Sequence, residues 1–180
     1  MNKILKLALV LFLVCAVTAG ILGGINELTK DRIAEINRLA TIAAYSTVLK
    51  ADGYDLVEAD MSDFPTVDKI SRATNDAGHV VELTVSGAQG LITIAVGVAP
   101  DYTCTGISII DHSETSGLGA NAAAESDVGR NFRAQFVGAD ESVALSKFGG
   151  AIDALSGATI TSNAVTTAVA TAIRAVMALG

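Results

Sequence analysis

The run Asp153-Ala154-Leu155-Ser156-Gly157-Ala158-Thr159-Ile160-Thr161-Ser162 gathers four hydroxyls around one glycine, just before an apolar-periodic segment. Gly157 permits backbone conformations that other residues avoid, and Ala158 leaves the approach unobstructed. The first N–H groups of a following helix, together with its dipole, favour an anion at this place. A phosphate there could be held by backbone amides and by the hydroxyls of Ser156, Thr161 and Ser162. An ester to Thr159 would be a phosphodiester carrying one negative charge, stabilised by the same field. The plain alternative is a turn and helix N-cap, which Ser, Thr and Gly favour anyway. Spacing alone favours the plain alternative.

A second stretch, Glu114-Thr115-Ser116-Gly117-Leu118-Gly119, follows Asp111-His112-Ser113. Its two glycines expose backbone N–H groups that could meet the polar edge of a planar ring. Leu118 could cover the face of that ring, and Glu114 could accept from a ring N–H. An ordinary surface turn is the competing reading. Asp111, His112 and Ser113 carry the letters of a hydrolase triad, but three successive side chains point in different directions and cannot form one. Lys147 could neutralise a phosphate or simply be solvated, and His79, at the start of a strand, reads as structural. No residue stands out as an acid, base or nucleophile for turnover. The two cysteines, Cys15 and Cys104, offer neither a metal-binding spacing nor an internal disulfide in the domain.

These stretches need elements to hold them. His79–Ser86 alternates polar and apolar residues and predicts a strand, Gly87–Gly90 a turn, and Leu91–Ala99 a second strand. Thr105–Ile110 predicts a third strand rising into the loop Asp111–Ala120. Asn121–Phe136 predicts a helix with Val128, Phe132 and Phe136 on one face, and Ala139–Gly150 a linker or short strand. Thr161–Leu179 predicts a closing helix with Val165, Val169, Ala172, Ile173 and Val176 inward. Ala51–Ala77 reads as irregular. The fold class expected is α+β, a short sheet packed by helices.

The N-terminus is of another kind. Leu7–Ile25 holds 19 residues without a charge. As a helix, Ile4–Ile25 would be about 33 Å long, enough for a hydrocarbon core of roughly 30 Å. Lys3 and Lys6 before it put the N-terminus in the cytoplasm and the rest outside. A cleaved signal peptide ending at Val17-Thr18-Ala19 is the rival, and lipidation of Cys15 a weaker one because Val14 is bulky. Asn26–Lys50 reads as an amphipathic helix capped by Asn26, with Leu28, Ile33, Ile36, Leu39, Ala40 and Ala43 facing the domain. The organisation expected is an anchor at 1–25, a juxtamembrane helix at 26–52 and an extracytoplasmic domain at 53–180. Beyond Lys3 and Lys6 there are 10 basic and 19 acidic residues, a net charge of −9. That surface repels nucleic acid.

Anchor, Glu114–Gly119 loop and Asp153–Ser162 run together resemble the FMN-binding RnfG component of Rnf electron-transport complexes. The corresponding component of the sodium-pumping NADH:quinone reductase shares the same domain. The resemblance covers the whole chain, and the length of 180 residues favours the Rnf component. It implies FMN joined covalently through its phosphate to Thr159, by a separate flavin transferase using FAD and a divalent metal. It places Glu114, Thr115, Leu118 and Gly119 near the isoalloxazine, while Ser156, Gly157, Ala158 and Thr161 are expected around the phosphate from the turn itself. It implies an electron-transfer subunit among other membrane subunits of an ion-translocating ferredoxin:NAD oxidoreductase, at the cell membrane. One departure stands out: Ser116 occupies a place where the family usually has proline, which loosens the loop. The alternatives are the quinone-reductase component, a free-standing flavinylated reductase domain, and a non-redox anchored binding module.

Overall fold

The computed structural model describes residues 3–179 and divides into two units, Met1–Ala40 and Thr41–Gly180. In the first unit the chain is helical throughout its described residues, as part of α1 (Lys3–Val48). Its apolar side chains face outward: Phe12 is 67% exposed, Leu22 68% and Ile25 54%. α1 is long and apolar enough to cross a membrane, with a mean hydropathy of 2.6 in its most apolar window. Asn26 lies inside α1 and caps nothing. Leu28, Ile33, Ile36 and Leu39 are exposed within their own unit.

The second unit is an antiparallel meander of β1 (Tyr54–Val57), β2 (Val67–Ala73), β3 (His79–Ser86), β4 (Leu91–Val98) and β5 (Cys104–His112). Two further helices, α2 (Asp127–Ala134) and α3 (Thr159–Met177), complete it. The architecture is α+β, as expected. β3 and β4 pair from His79↔Val98 to Ser86↔Leu91, closed by the Gly87–Gly90 turn. β1 and β2 occupy the stretch expected to be irregular, and β5 runs into His112 where a loop was expected.

Alternation divides the strands between two cores. Val81, Leu83 and Val85 with Ile92, Ile94 and Val96 meet Val165, Val169, Ile173 and Val176 of α3. The α3 stripe has the three-and-four spacing of a helix buried on one side. Each fully buried valine or isoleucine contributes about 1.5–3 kcal/mol. On the other face Val80 and Ala95 meet Ala44, Tyr45, Val48 and Leu49, at the end of α1. Tyr45 Oη donates to Glu82 Oε2 at 3.1 Å, and Lys69 Nζ reaches the same oxygen at 3.1 Å. Thr105 Oγ1 donates to Val48 O, Tyr54 Oη to Leu49 O, and Asn75 Nδ2 to Lys50 O. Gly97 makes this approach possible, because a Cβ there would strike Val48 O and Thr105 Oγ1.

α2 is shorter than the helix expected over Asn121–Phe136. Gly119–Ala122 forms a 3-10 turn first, and α2 begins afresh at Ser126, whose Oγ accepts from Gly129 N at 3.3 Å. Arg133 bridges the break, donating to Ala122 O at 2.8 Å and Ala124 O at 2.9 Å. Phe132 and Phe136 are buried, whereas Val128 is exposed.

Candidate functional site

The two stretches singled out in the sequence meet at the N-terminal end of α3. Glu114, 9% exposed, leaves the end of β5 and turns its carboxylate inward. Its Oε1 accepts from Ala88 N at 2.8 Å and Gln89 N at 3.1 Å, in the β3–β4 turn. Its Oε2 accepts from Thr161 Oγ1 at 2.5 Å, in the first turn of α3. Two glycines make room: a Cβ at Gly87 would strike Oε1, and one at Gly119 would strike Oε2 and Thr161 Oγ1. Burial pushes the Glu114 carboxyl up. The hydrogen bonds from Thr161, Gln89 and Ala88, with the nearby charge of His112, outweigh it and hold the group below its ordinary value. Glu114 N donates to His112 Nδ1 at 3.2 Å.

The turn before α3 is held just as closely. Gly157 has φ +72°, a left-handed conformation suited to glycine, and a Cβ there would sit 3.0 Å from Leu118 Cδ2. Ser162 Oγ accepts from Leu155 N at 3.0 Å and donates to Ala158 O at 2.9 Å, tying the turn to the helix that follows. Asp153 N donates to Gln135 Oε1 at 2.7 Å, which fixes the start of the run against α2. Ala158 is the N-cap and supplies no side-chain bond to the first helical N–H groups.

The four hydroxyls of the run therefore separate. Thr161 and Ser162 are buried and committed inward, and they do not line the phosphate-friendly end as expected. Glu114 likewise is a buried tie between two turns and a helix, a different use of its carboxylate from the ring acceptor expected. Thr159 is half-buried at the first position of α3, and among the described residues its hydroxyl has no hydrogen-bond partner. Ser156 and Gly157 are exposed and Ala158 is buried. Thr115 and Leu118 are exposed on the loop and Gly119 is buried beneath it. Lys147 is exposed in the 3-10 turn Ser146–Phe148, and no hydrogen bond or ion pair joins it to this cluster among the described residues.

Sequence reasoning missed three contributors: the Ala88 and Gln89 amides, Gly87, and Gln135. The two glycines of the β3–β4 turn were the available signal for the first two. Beside the run a cleft of about 460 Å³ opens between α2 and Asp153–Ser156, lined by Val128, Asn131, Phe132 and Gln135.

A half-exposed hydroxyl beside uncapped helical N–H groups, with a glycine turn and an apolar leucine next to it, fits the phosphate end of a flavin nucleotide. Residues 87–174 match the FMN-binding domain family, and residues 1–48 match the RnfG N-terminal region. The class is thus a flavin-nucleotide-binding domain carried behind an apolar helix.

Relatives narrow it further. The G subunit of the ion-translocating oxidoreductase complex of Methanosarcina acetivorans is 43% identical over 108 residues, 58% of this chain and 54% of that one. The protein of the same name from Pseudomonas aeruginosa is 31% identical over 189 residues, 96% of this chain and 88% of that one. The G subunit of the Na(+)-translocating ferredoxin:NAD(+) oxidoreductase complex of Acetobacterium woodii is 32% identical over 193 residues, covering 92% and 88%. The chain belongs to the RnfG family of Rnf-type ion-translocating oxidoreductase complexes.

Proposed function

We propose that the chain is an electron-transfer relay of an Rnf-type complex, carrying FMN esterified through its phosphate to Thr159. The single observation that carries the attachment is the sorting of the hydroxyls at α3: Thr161 and Ser162 are buried and bonded, while Thr159 is half-exposed beside uncapped amides. When bound, FMN supplies one- and two-electron redox chemistry. This chain's own residues bind and orient. In attachment, Thr159 Oγ attacks the FMN-side phosphorus of FAD, the pyrophosphate bond breaks, AMP leaves, and the hydroxyl proton passes to a base of the flavin transferase. The N–H groups of the first helical turn would stabilise the phosphodiester charge, and Leu118 would lie beside it, next to Gly157. A covalent tether suits a carrier that works outside the cytoplasm, where a lost flavin is not replaced.

The anchor reading accompanies this one. Lys3 and Lys6 hold the N-terminus in the cytoplasm, α1 crosses the membrane, and the domain stands on the extracytoplasmic side among the other membrane subunits of the complex. The test is co-expression of the full chain with an active flavin transferase, followed by denaturing electrophoresis under ultraviolet light. The wild-type band fluoresces, Ser156→Ala fluoresces equally, and Thr159→Ala is dark. A dark wild type despite active transferase, or a fluorescent Thr159→Ala, overturns the attachment.

A further inference from the structure

We propose that Glu114 is a positioning residue for flavin attachment, acting through Thr161 to set the direction of the Thr159 hydroxyl. The inference rests on Thr159 being the acceptor. Glu114 holds the β3–β4 turn with one carboxylate oxygen and Thr161 with the other. Gly87 and Gly119 leave just enough room for the carboxylate on either side, so it has little latitude to shift.

The helical step turns this tether into an orientation. Successive residues of an α-helix are rotated by roughly 100°. Thr161 is pinned inward by Glu114, and Ser162 by Leu155 N and Ala158 O. Ile160 must then face outward, and it is 66% exposed. Thr159 falls on the shoulder between the buried and exposed faces, reachable from outside yet beside the first amides of α3. Without the Thr161 tether, the first turn keeps its packing and its Ser162 contacts but loses its side-chain link to Glu114 and the β3–β4 turn. The hydroxyl would then sample directions away from an incoming phosphorus.

The experiment measures steady-state flavin transfer from FAD to the full chain in detergent, with purified transferase and magnesium, well below the melting temperature of each variant. Thr161→Val removes the hydroxyl and keeps the shape; we expect kcat to fall by about 10-fold or more with KM for FAD unchanged. Thr161→Ser restores the hydroxyl and with it most of kcat, although serine packs less well than valine at this buried site. Rates taken well below each melting temperature separate a misdirected hydroxyl from a loss of stability. Should Thr161→Val fail to fold, Glu114→Asp decides: its carboxylate is one methylene too short to hold the turn amides and Thr161 together, so kcat falls. A folded Thr161→Val or Glu114→Asp chain with wild-type kcat overturns the proposal, as does a serine variant slower than the valine one. A wild type that accepts no flavin overturns the Thr159 attachment instead.

Discussion

The two ends of α3 both face clefts, and they are organised in opposite ways. At the N-terminal end every buried polar group near Glu114 has a partner, and the left-handed positions are glycines, Gly117 and Gly157. The C-terminal end borders a cleft of about 350 Å³ lined by Arg72, His79 and Tyr102 with Val176 and Leu179. There His79 Nδ1 is buried without a partner among the described residues, and beside Gly78 two non-glycine residues, Asp76 and Tyr102, also have positive φ, with a steric penalty that glycine avoids. Cavity space is thus a poor guide to chemistry in this fold. What marks the proposed flavin end is a set of committed hydrogen bonds that leaves the Ser156 and Thr159 hydroxyls without a partner among the described residues.

The comparison breaks first if flavin attachment depends on the wrong end. Thr159→Ala is expected to lose covalent flavin completely and His79→Phe to lose none, read as in-gel fluorescence. Next in size is the crowding around Glu114. Gly119→Ala is expected to destabilise the domain by about 2–3 kcal/mol, because its Cβ lands on two buried oxygens. Gly117→Ala meets open space and carries only the strain of φ +78°, about 1 kcal/mol. Near-ultraviolet circular dichroism of the tyrosines during urea unfolding separates the two.

At the other end, His79→Phe is expected to stabilise the fold by about 1 kcal/mol, since it removes a buried nitrogen that lacks a partner. The smallest effects are the acid responses. Burial, then the charge of Arg72, hold His79 below its ordinary 6.5. The folded chain therefore favours neutral imidazole, and this contribution is whole above pH 6.5 and declines as the pH falls below it. Glu114 is also held low, so its contribution is whole above its ordinary 4.5 and declines only as the pH falls further. Melting temperature against pH should show two separate declines. His79→Phe removes the upper one, and Glu114→Gln reduces the lower, which Asp60, Asp101 and Asp140, also held low by their hydrogen bonds, share.

What could be read in advance divides along physical lines. β3, β4 and α3 follow their own hydrophobic periods, and the expected boundaries fall within a residue or two. β1 and β2 escaped because the apolar pattern is thin there: β2 reads Val-Asp-Lys-Ile-Ser-Arg-Ala, and β1 is a short edge strand. The break before α2 was written in Ser126-Asp127, an N-cap with an acid in the first turn, but the apolar face of Phe132 and Phe136 masked it. At the site, residue type located the chemistry and could not give direction. Nothing in the letters of Glu114, Thr161 and Ser162 says that they face inward, because that depends on partners distant in the chain, such as Ala88 and Gln89.

The three side chains that hold the carbonyls at the end of α1 also decide where the domain can be cut. Val80 and Ala95 are covered by Ala44, Tyr45, Val48 and Leu49, and Thr105, Tyr54 and Asn75 grip the carbonyls of Val48, Leu49 and Lys50. A truncation at Gly53 would bare that face of the sheet to water and strand a row of apolar side chains prone to aggregate. A fragment that keeps this face covered therefore starts near Thr41, inside the same helix whose earlier turns are long and apolar enough to cross a membrane.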